Sequence, residues 1–128
     1  MIIGIGIDLV EFVRLADIRI TRLSERILTS REMETIPTET KRRLEWVAGR
    51  FAAKEAVAKA AGCGIGGQLS FQDITIIKGE KGCPSVELST KSIAALGYQE
   101  DVHIHLSITH TNKTAAAFVV IEQRGGIK

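Results

Sequence analysis

Cysteine is scarce in this sequence, and its two cysteines do not match a metal or redox site. Cys63 and Cys83 lie 20 residues apart, whereas cysteines that bind metals or form redox pairs occur at short, regular spacings. We therefore expect two free thiols in a reducing compartment. The longest apolar run is far shorter than the roughly 20 residues that span a bilayer, and the N-terminus has neither the basic region nor the cleavage site of a signal peptide. These absences predict a cytoplasmic protein with no membrane partner.

A strong excess of one charge sign is also absent. The net charge is only +2, although 11 of the 17 Lys and Arg residues lie within residues 1–62. Nine carboxylates share that half of the chain, so we expect no nucleic-acid partner. The 128 residues contain no internal repeat or low-complexity linker and predict one domain, residues 1–128. Because such a domain is small for an enclosed active site, we expect a second subunit to contribute.

The sequence is organised around an alanine-rich stretch that we predict to be a long, buried helix. Seven of the 16 residues from Trp46 to Ala61 are alanine, the best helix former. Gly62 follows at the point where a left-handed residue would end the helix, and Thr38 with Glu39 can cap its start. Apolar residues lie on both sides of this helix, which indicates burial.

The charged residues of this helix form two pairs at a spacing of four. Glu55 precedes Lys59 in the order that stabilises a helix, so an ordinary ion pair is one interpretation. Arg50 and Lys54 repel each other by roughly 0.2 to 0.5 kcal/mol unless an anion lies between them. Phosphate is the anion that we predict at this position.

One face of the first predicted strand carries no side chains at its glycines and then presents the carboxylate of Asp8. Isoleucine alternates with Gly4, Gly6 and Asp8, so we expect something to approach the glycine face closely. The glycines lack the third member of a dinucleotide-binding fingerprint, and the ATPases with a similar first phosphate loop need a much longer chain. A role for Asp8 as an ordinary turn residue stays open.

A basic surface follows in residues 12–28, whose apolar residues have a roughly helical pattern. Four arginines outnumber the acids of this segment, namely Arg14, Arg19, Arg22 and Arg26. The surface is either an ordinary solvated face or a binding site for an acidic partner.

Short elements complete the middle of the chain. The capping box Thr29–Glu32 predicts the start of a short helix that Pro37 stops. A hairpin is predicted from Asp73–Ile77 and Val86–Leu88, and a second short helix from Ser89–Leu96. The glycine-rich loop around Gly66 follows a helix and so cannot be a phosphate loop, but it can lie flat against a ligand or be a plain connection.

Residues 102–110 show the cleanest alternation in the chain. One side is apolar and predicted to face a core, and the other is a polar row of His103, His105, Ser107 and Thr109. The row is either a solvated face or a surface for a polar substrate. A histidine metal site lacks a third ligand, and Ser107 with His110 lacks the elbow motif of a hydrolase. Residues 115–121 are apolar on both faces, which predicts a central strand or one covered by another subunit, with Val119 as a test position.

Two carboxylates and three cations together predict a site for a divalent cation and phosphate. Asp8 ends a strand and Glu55 lies on the buried helix, beside Arg50, Lys54 and Lys59. Hard oxygen ligands suit Mg²⁺, which takes one or two carboxylates and completes its shell with water and substrate phosphates.

Four stretches resemble the bacterial holo-acyl-carrier-protein synthases of the 4′-phosphopantetheinyl transferase superfamily, in the same order and over essentially the whole chain. They are GIGIDLVE at residues 4–11, GRFAAKEA at residues 49–56 with Lys59, LSFQD at residues 69–73 and HLSITH at residues 105–110. The resemblance implies an α+β fold in which a small, mainly antiparallel sheet packs against one long buried helix.

The resemblance also implies a reaction: transfer of the 4′-phosphopantetheine arm of coenzyme A to a serine of apo acyl carrier protein, releasing adenosine 3′,5′-bisphosphate. Asp8 and Glu55 would hold Mg²⁺, and Arg50, Lys54, Lys59 and His105 would meet the phosphates. The catalytic candidates are Asp8, Glu55, Lys59 and His105. The further contacts to coenzyme A would be Gly66, Ser107, Thr109 and His110. The residues that would bind the acidic carrier protein are Arg14, Arg22 and Arg26. A homotrimer with active sites at subunit interfaces is implied as well.

Three alternatives stay open. A two-metal nuclease also pairs a strand aspartate with a helix glutamate, but it needs further acids, for which only Asp73 and Asp101 are candidates. A non-catalytic module that binds carrier protein would use the arginines and not Asp8 or Glu55. A related transferase specialised for peptide or polyketide carriers is the third possibility.

Overall fold

A computed structural model describes residues 1–15 and 19–125, and within them the fold combines five strands with four α-helices. The strands are β1 (Ile2–Glu11), β2 (Ile74–Lys78), β3 (Pro84–Leu88), β4 (Val102–His110) and β5 (Thr114–Gln123). The helices are α1 (Arg19–Ile27), α2 (Ser30–Met33), α3 (Thr40–Ala61) and α4 (Thr90–Leu96). Single 3₁₀ turns lie at Phe12–Arg14, Phe71–Asp73 and Glu80–Gly82. No helix in this part of the chain is long and apolar enough to span a membrane.

All strand pairs are antiparallel. Strands β1, β5 and β4 form one sheet in that order, and β2 with β3 forms the predicted hairpin. The last strand is therefore central, which was one of the two predicted outcomes. The antiparallel sheet and the long helix α3 that packs on it confirm the predicted α+β fold class.

Helix α3 begins and ends where the sequence predicted. The Glu39 carboxylate accepts hydrogen bonds from the backbone N–H groups of Lys41 and Arg42, which caps the free donors of the first turn. Gly62 ends the helix in the left-handed conformation, with φ of 77°. The middle of the helix is buried on several sides, as its apolar pattern indicated.

Strand β1 lies directly on the backbone of α3. A Cβ atom at Gly6 would lie 2.1 Å from the carbonyl oxygen of Ala56, and one at Gly4 would lie 2.0 Å from that of Ala60. The predicted close approach is therefore confirmed, and the approaching element is α3. Because only glycine permits this contact, the two residues bring the first half of β1 against the helix.

The two faces of the sheet differ sharply. Val119 and Ile121 are fully buried on the face that α3 covers. The opposite face, called here the outer sheet face, carries exposed apolar side chains, namely Ile5, Ile7 and Leu9 of β1 and Phe118 of β5. Val119 was therefore the wrong test position for an interface, because its side chain belongs to the core and the exposed neighbour is Phe118.

The arginine-rich segment is less continuous than its pattern indicated. A 3₁₀ turn at Phe12–Arg14 precedes α1, and residues 16–18, within the predicted helical stretch, lie outside the described residues. The capping box is confirmed, since Thr29 and Glu32 exchange hydrogen bonds at the start of α2. This helix ends at Met33, before Pro37. Helix α4 is confirmed as well, with Ser89 capping its start and Gly97 ending it.

Candidate active site between strand β1 and helix α3

Asp8 and Lys59 meet where β1 crosses the last turns of α3. The Lys59 ammonium group donates to Asp8 Oδ1 at 2.8 Å and to the carbonyl oxygen of Ile7 at 3.0 Å. The Asp8 side chain is 17% exposed and that of Lys59 54% exposed. Asp8 is therefore not a turn residue at a strand end: it lies inside β1, opposite Ala117 of β5, and its side chain is held beside a cation.

Glu55 lies one helical turn before Lys59 and close to Asp8. Partial burial raises the pKa of Glu55, the negative charge of Asp8 raises it further, and Lys59 and Arg26 oppose the shift. Asp8 and Glu55 line one cavity of about 430 Å³ together with Arg14 and Phe51. The predicted pairing of a strand aspartate with a helix glutamate is present in the structure.

The donor set of this cavity fits a hard divalent cation. Two neighbouring carboxylates that repel each other would be stabilised by a positive ion, and Mg²⁺ needs only one or two carboxylates when substrate phosphates and water complete its shell. Among the described residues no group of three or more His, Cys, Asp or Glu side chains is arranged for a metal. A site that is completed by the substrate is therefore the arrangement these residues support.

Arg50 belongs to a second, larger cavity of about 820 Å³. Its guanidinium carbon lies 3.6 Å from the centre of the Trp46 ring, and His110 lines the same cavity. His110 Nδ1 lies 4.0 Å from Glu45 Oε2. Two of the predicted coenzyme A contacts, Arg50 and His110, are thus brought together, but at a different cavity from Asp8.

The structure corrects the role predicted for Lys54. Its side chain is fully buried, and its ammonium group donates to Glu32 Oε1 at 2.6 Å and to the carbonyl oxygens of Ile27 and Phe71. All three of its donors are used by protein oxygens, so none is left for a phosphate group. The anion between Arg50 and Lys54 is the carboxylate of Glu32.

The polar row of β4 lies on the outer sheet face, away from α3. His105, Ser107 and Thr109 alternate with half-buried apolar residues, as predicted. His105 Nε2 lies 2.9 Å from Glu122 Oε1, and Glu122 has a lowered pKa because His105 and then Arg124 hydrogen-bond to it. Within one chain this row does not reach the pair of Asp8 and Glu55.

The remaining predicted residues lie around the rim of the structure. Gly66 is in the exposed loop after α3, where its N–H donates to the carbonyl oxygen of Leu69. Arg14, Arg22 and Arg26 are exposed, and the Arg26 guanidinium lies 5.9 Å from the centre of the Phe71 ring. Of these three arginines, Arg14 lines the cavity of Asp8 and Glu55, and Arg26 is near enough for its charge to act on Glu55.

Sequence reasoning missed Glu32 and Trp46. Glu32 was assigned only to the capping box, and it does take part in one. A signal for its second role was present, because two cations one turn apart on a buried helix require an anion. Trp46 lies four residues before Arg50, which is the spacing that stacks an arginine on an aromatic ring.

An α+β fold with paired carboxylates, a neighbouring lysine and an arginine-lined cavity is typical of the class of proteins that bind phosphorylated substrates. Within that class, the family model described as the 4′-phosphopantetheinyl transferase superfamily matches residues 4–119. The chain belongs to this superfamily.

Relatives support the assignment over nearly the full length. A holo-[acyl-carrier-protein] synthase of Bacillus pumilus is 52% identical, and the match covers 96% of this chain and 98% of the relative. That of Bacillus subtilis is 49% identical with the same coverage. The crystal structure of a holo-(acyl-carrier-protein) synthase from Bacillus anthracis in complex with CoA (3′,5′-ADP) has a TM-score of 0.83 and 41% identity, covering 96% of this chain and 98% of that one.

Proposed function

We propose that this chain, as a single domain, transfers the 4′-phosphopantetheine arm of coenzyme A to a serine of apo acyl carrier protein. The observation that carries the proposal is the cluster of Asp8, Glu55 and Lys59, whose two carboxylates line one cavity, within a chain of this family. Relatives are named holo-[acyl-carrier-protein] synthases, and one structure, from Helicobacter pylori, is in complex with coenzyme A.

In the proposed reaction the serine hydroxyl oxygen forms a bond to the β-phosphorus, and the bond from that phosphorus to the bridging oxygen breaks. Adenosine 3′,5′-bisphosphate leaves with the bridging oxygen. A magnesium ion held by Asp8 and Glu55 would neutralise negative charge on the pyrophosphate. Lys59 hydrogen-bonds to Asp8, so its ammonium group lies near the proposed metal position. When coenzyme A binds, this ammonium group would contact the same phosphates.

Glu55 is the residue that we assign as the base for the serine proton. Burial and the charge of Asp8 raise the pKa of Glu55, which favours acceptance of a proton, and Lys59 and Arg26 oppose this shift. The carboxylate borders the same cavity as Arg14, on the side where the acidic carrier protein would bind.

The carrier protein would bind the arginine surface, defined by Arg14, Arg22 and Arg26. All three side chains are exposed, Arg14 lines the cavity of Asp8 and Glu55, and the charge of Arg26 acts on Glu55. Positive charge at this rim would attract an acidic partner and orient its serine toward the cavity.

A second and third copy of the chain would complete the coenzyme A site. The outer sheet face is apolar along Ile5, Ile7, Leu9 and Phe118, which favours burial against another protein surface. The adjoining row of His105, Ser107 and Thr109 reaches Asp8 and Glu55 only across such a contact. A contact between the outer face of one copy and a different face of the next can close into a ring, and a ring of three copies is the assembly that we propose. The cytoplasmic location stays a prediction.

A mass measurement tests the proposed reaction. Incubation of the chain with coenzyme A, Mg²⁺ and apo carrier protein should add the mass of one phosphopantetheine arm to the carrier. The matched control is the carrier with its acceptor serine replaced by alanine, which should gain no mass. A wild-type enzyme that adds nothing to the intact carrier, with the metal present, would overturn the proposal.

A further inference from the structure

The carboxylate of Glu32 joins three elements in the interior of the protein. Its side chain is almost fully buried, with the residue 2% exposed. Oε1 accepts hydrogen bonds from the Lys54 ammonium at 2.6 Å and from the Thr29 backbone N–H at 2.8 Å. Oε2 accepts one from the backbone N–H of Ile76 at 2.9 Å. Helices α2 and α3 and strand β2 therefore meet at one negative charge.

The same carboxylate lies behind Arg50 at the wall of the larger cavity. Glu32 Oε2 is 4.0 Å from Arg50 Nε, and the Trp46 ring covers the guanidinium at 3.6 Å. Within residues 1–15 and 19–125, Arg50 makes no hydrogen bond, and its buried Nε has no partner. Its side chain is only 13% exposed. A charge and a ring hold this arginine, which lines the cavity and has no hydrogen-bond acceptor among the described residues.

Burial and charge explain why Arg50 needs this support. Burial lowers the pKa of Arg50 to about 10, and the charge of Glu32 acts against that shift. Lys54, one turn further along α3, adds repulsion. Without the charge of Glu32, Arg50 would be largely buried with no opposite charge beside it, and it would turn out toward solvent whether or not Lys54 adds its repulsion.

We propose that Glu32 is a positioning residue for coenzyme A, which acts by holding Arg50 where its guanidinium meets a phosphate group in the larger cavity. This inference rests on the proposed function, because it assigns coenzyme A to that cavity. Glu32 borders the same cavity, but its side chain is almost fully buried and both of its carboxylate oxygens accept hydrogen bonds from the protein, so we assign its effect on coenzyme A to Arg50.

Steady-state kinetics of Glu32→Gln test the proposal. We expect KM for coenzyme A to rise about 10-fold or more, as for the loss of a hydrogen bond to a charged group, with KM for the carrier protein unchanged. The effect should disappear in an Arg50→Gln background, because Glu32 acts through Arg50. An unchanged KM for coenzyme A, or an equal rise in the Arg50→Gln background, would overturn the inference.

Two further variants separate positioning from stability. Glu32→Gln combined with Lys54→Met removes both buried charges and so leaves no unpaired ammonium in the core. This double variant should fold and still show the raised KM for coenzyme A, and a normal KM would count against the proposal.

The stability control is Val119→Ala, in the core beneath the sheet, which should lower Tm with no change in KM for coenzyme A. Failure of the wild-type enzyme to transfer would refute the proposed function, whereas a normal KM in the variants refutes only the positioning role.

Discussion

Glu55 is held in an environment that opposes its ionisation. Burial raises the pKa of Glu55, and the charge of Asp8 raises it further. The Glu55 carboxylate therefore binds a proton more tightly in the folded protein than in the unfolded chain. The cost of ionising Glu55 is absent at low pH and is fully present once the pH exceeds its raised pKa. Stability is therefore reduced in the pH range in which the residue would bind a metal.

Glu55→Gln should lose activity and gain stability. We expect kcat to fall by about 100-fold or more, because both the proposed base and a metal ligand are lost. Tm should be higher than that of the wild type at pH 8, and the difference should vanish as the pH falls below the ordinary value of 4.5. Calorimetry over this pH range and transfer assays check the two effects. Equal activity with Mg²⁺ present would remove Glu55 from the site.

Lys54 differs from the other cations of α3 because it is part of the core. Lys54→Met would leave Glu32 without its closest partner, and we expect the free energy of unfolding to fall by about 3–5 kcal/mol. Urea denaturation measures this loss. If Lys54 instead bound phosphate, stability would hardly change and KM for coenzyme A would rise. Addition of Glu32→Gln should restore part of the lost stability, since no charge then remains unpaired.

At the scale of elements, the contact of β1 with α3 depends on glycine at position 6, which has no side chain. Gly6→Ala would place a Cβ atom 2.1 Å from the backbone oxygen of Ala56, and neither backbone can move freely. We expect a loss of about 3 kcal/mol or more in the free energy of unfolding, with transfer activity reduced because Asp8 is displaced. The control is Gly67→Ala, where nothing lies within 4 Å and stability should stay within about 0.5 kcal/mol.

Helix α1 presents Arg22 and Arg26 one turn apart on its exposed surface. Arg22→Glu should raise KM for the carrier protein several-fold and leave KM for coenzyme A unchanged, because it weakens attraction at the rim only. The wild-type KM for carrier protein should rise with salt, and the variant's should rise less. Lys91→Glu, an equal charge reversal on α4, is the control and should behave like the wild type. Equal effects on both substrates would point to a role in folding.

At the scale of the whole molecule, the outer sheet face is the surface that we propose joins copies of the chain. Phe118 is 46% exposed at the centre of this face, opposite Ile7 of β1. Phe118→Asp should lower the oligomer mass and the transfer activity together, as measured by sedimentation and transfer assays, while the fold is retained. The control is Met33→Asp, which places the same charge at an exposed apolar residue of α2. A wild-type monomer with full activity at assay concentration would contradict the shared site.

Local patterns in the sequence were enough to predict most elements and the pair of carboxylates. The caps of α3, the two-residue alternation of β4 and the glycine face of β1 each depend on residues close together in the chain, so their physical causes are visible in the sequence. The family resemblance added the reaction, and the comparisons confirmed the family.

Contacts between distant residues were decided only by the tertiary structure. Lys54 and Glu32 lie 22 residues apart, and nothing in the local pattern shows that this carboxylate reaches that ammonium group. Strand β5 is apolar on both faces, so alternation could not show whether Val119 or Phe118 faces the core. The choice depends on which face packs against α3, and that is a property of the folded chain, because a side chain is buried only when another element covers it.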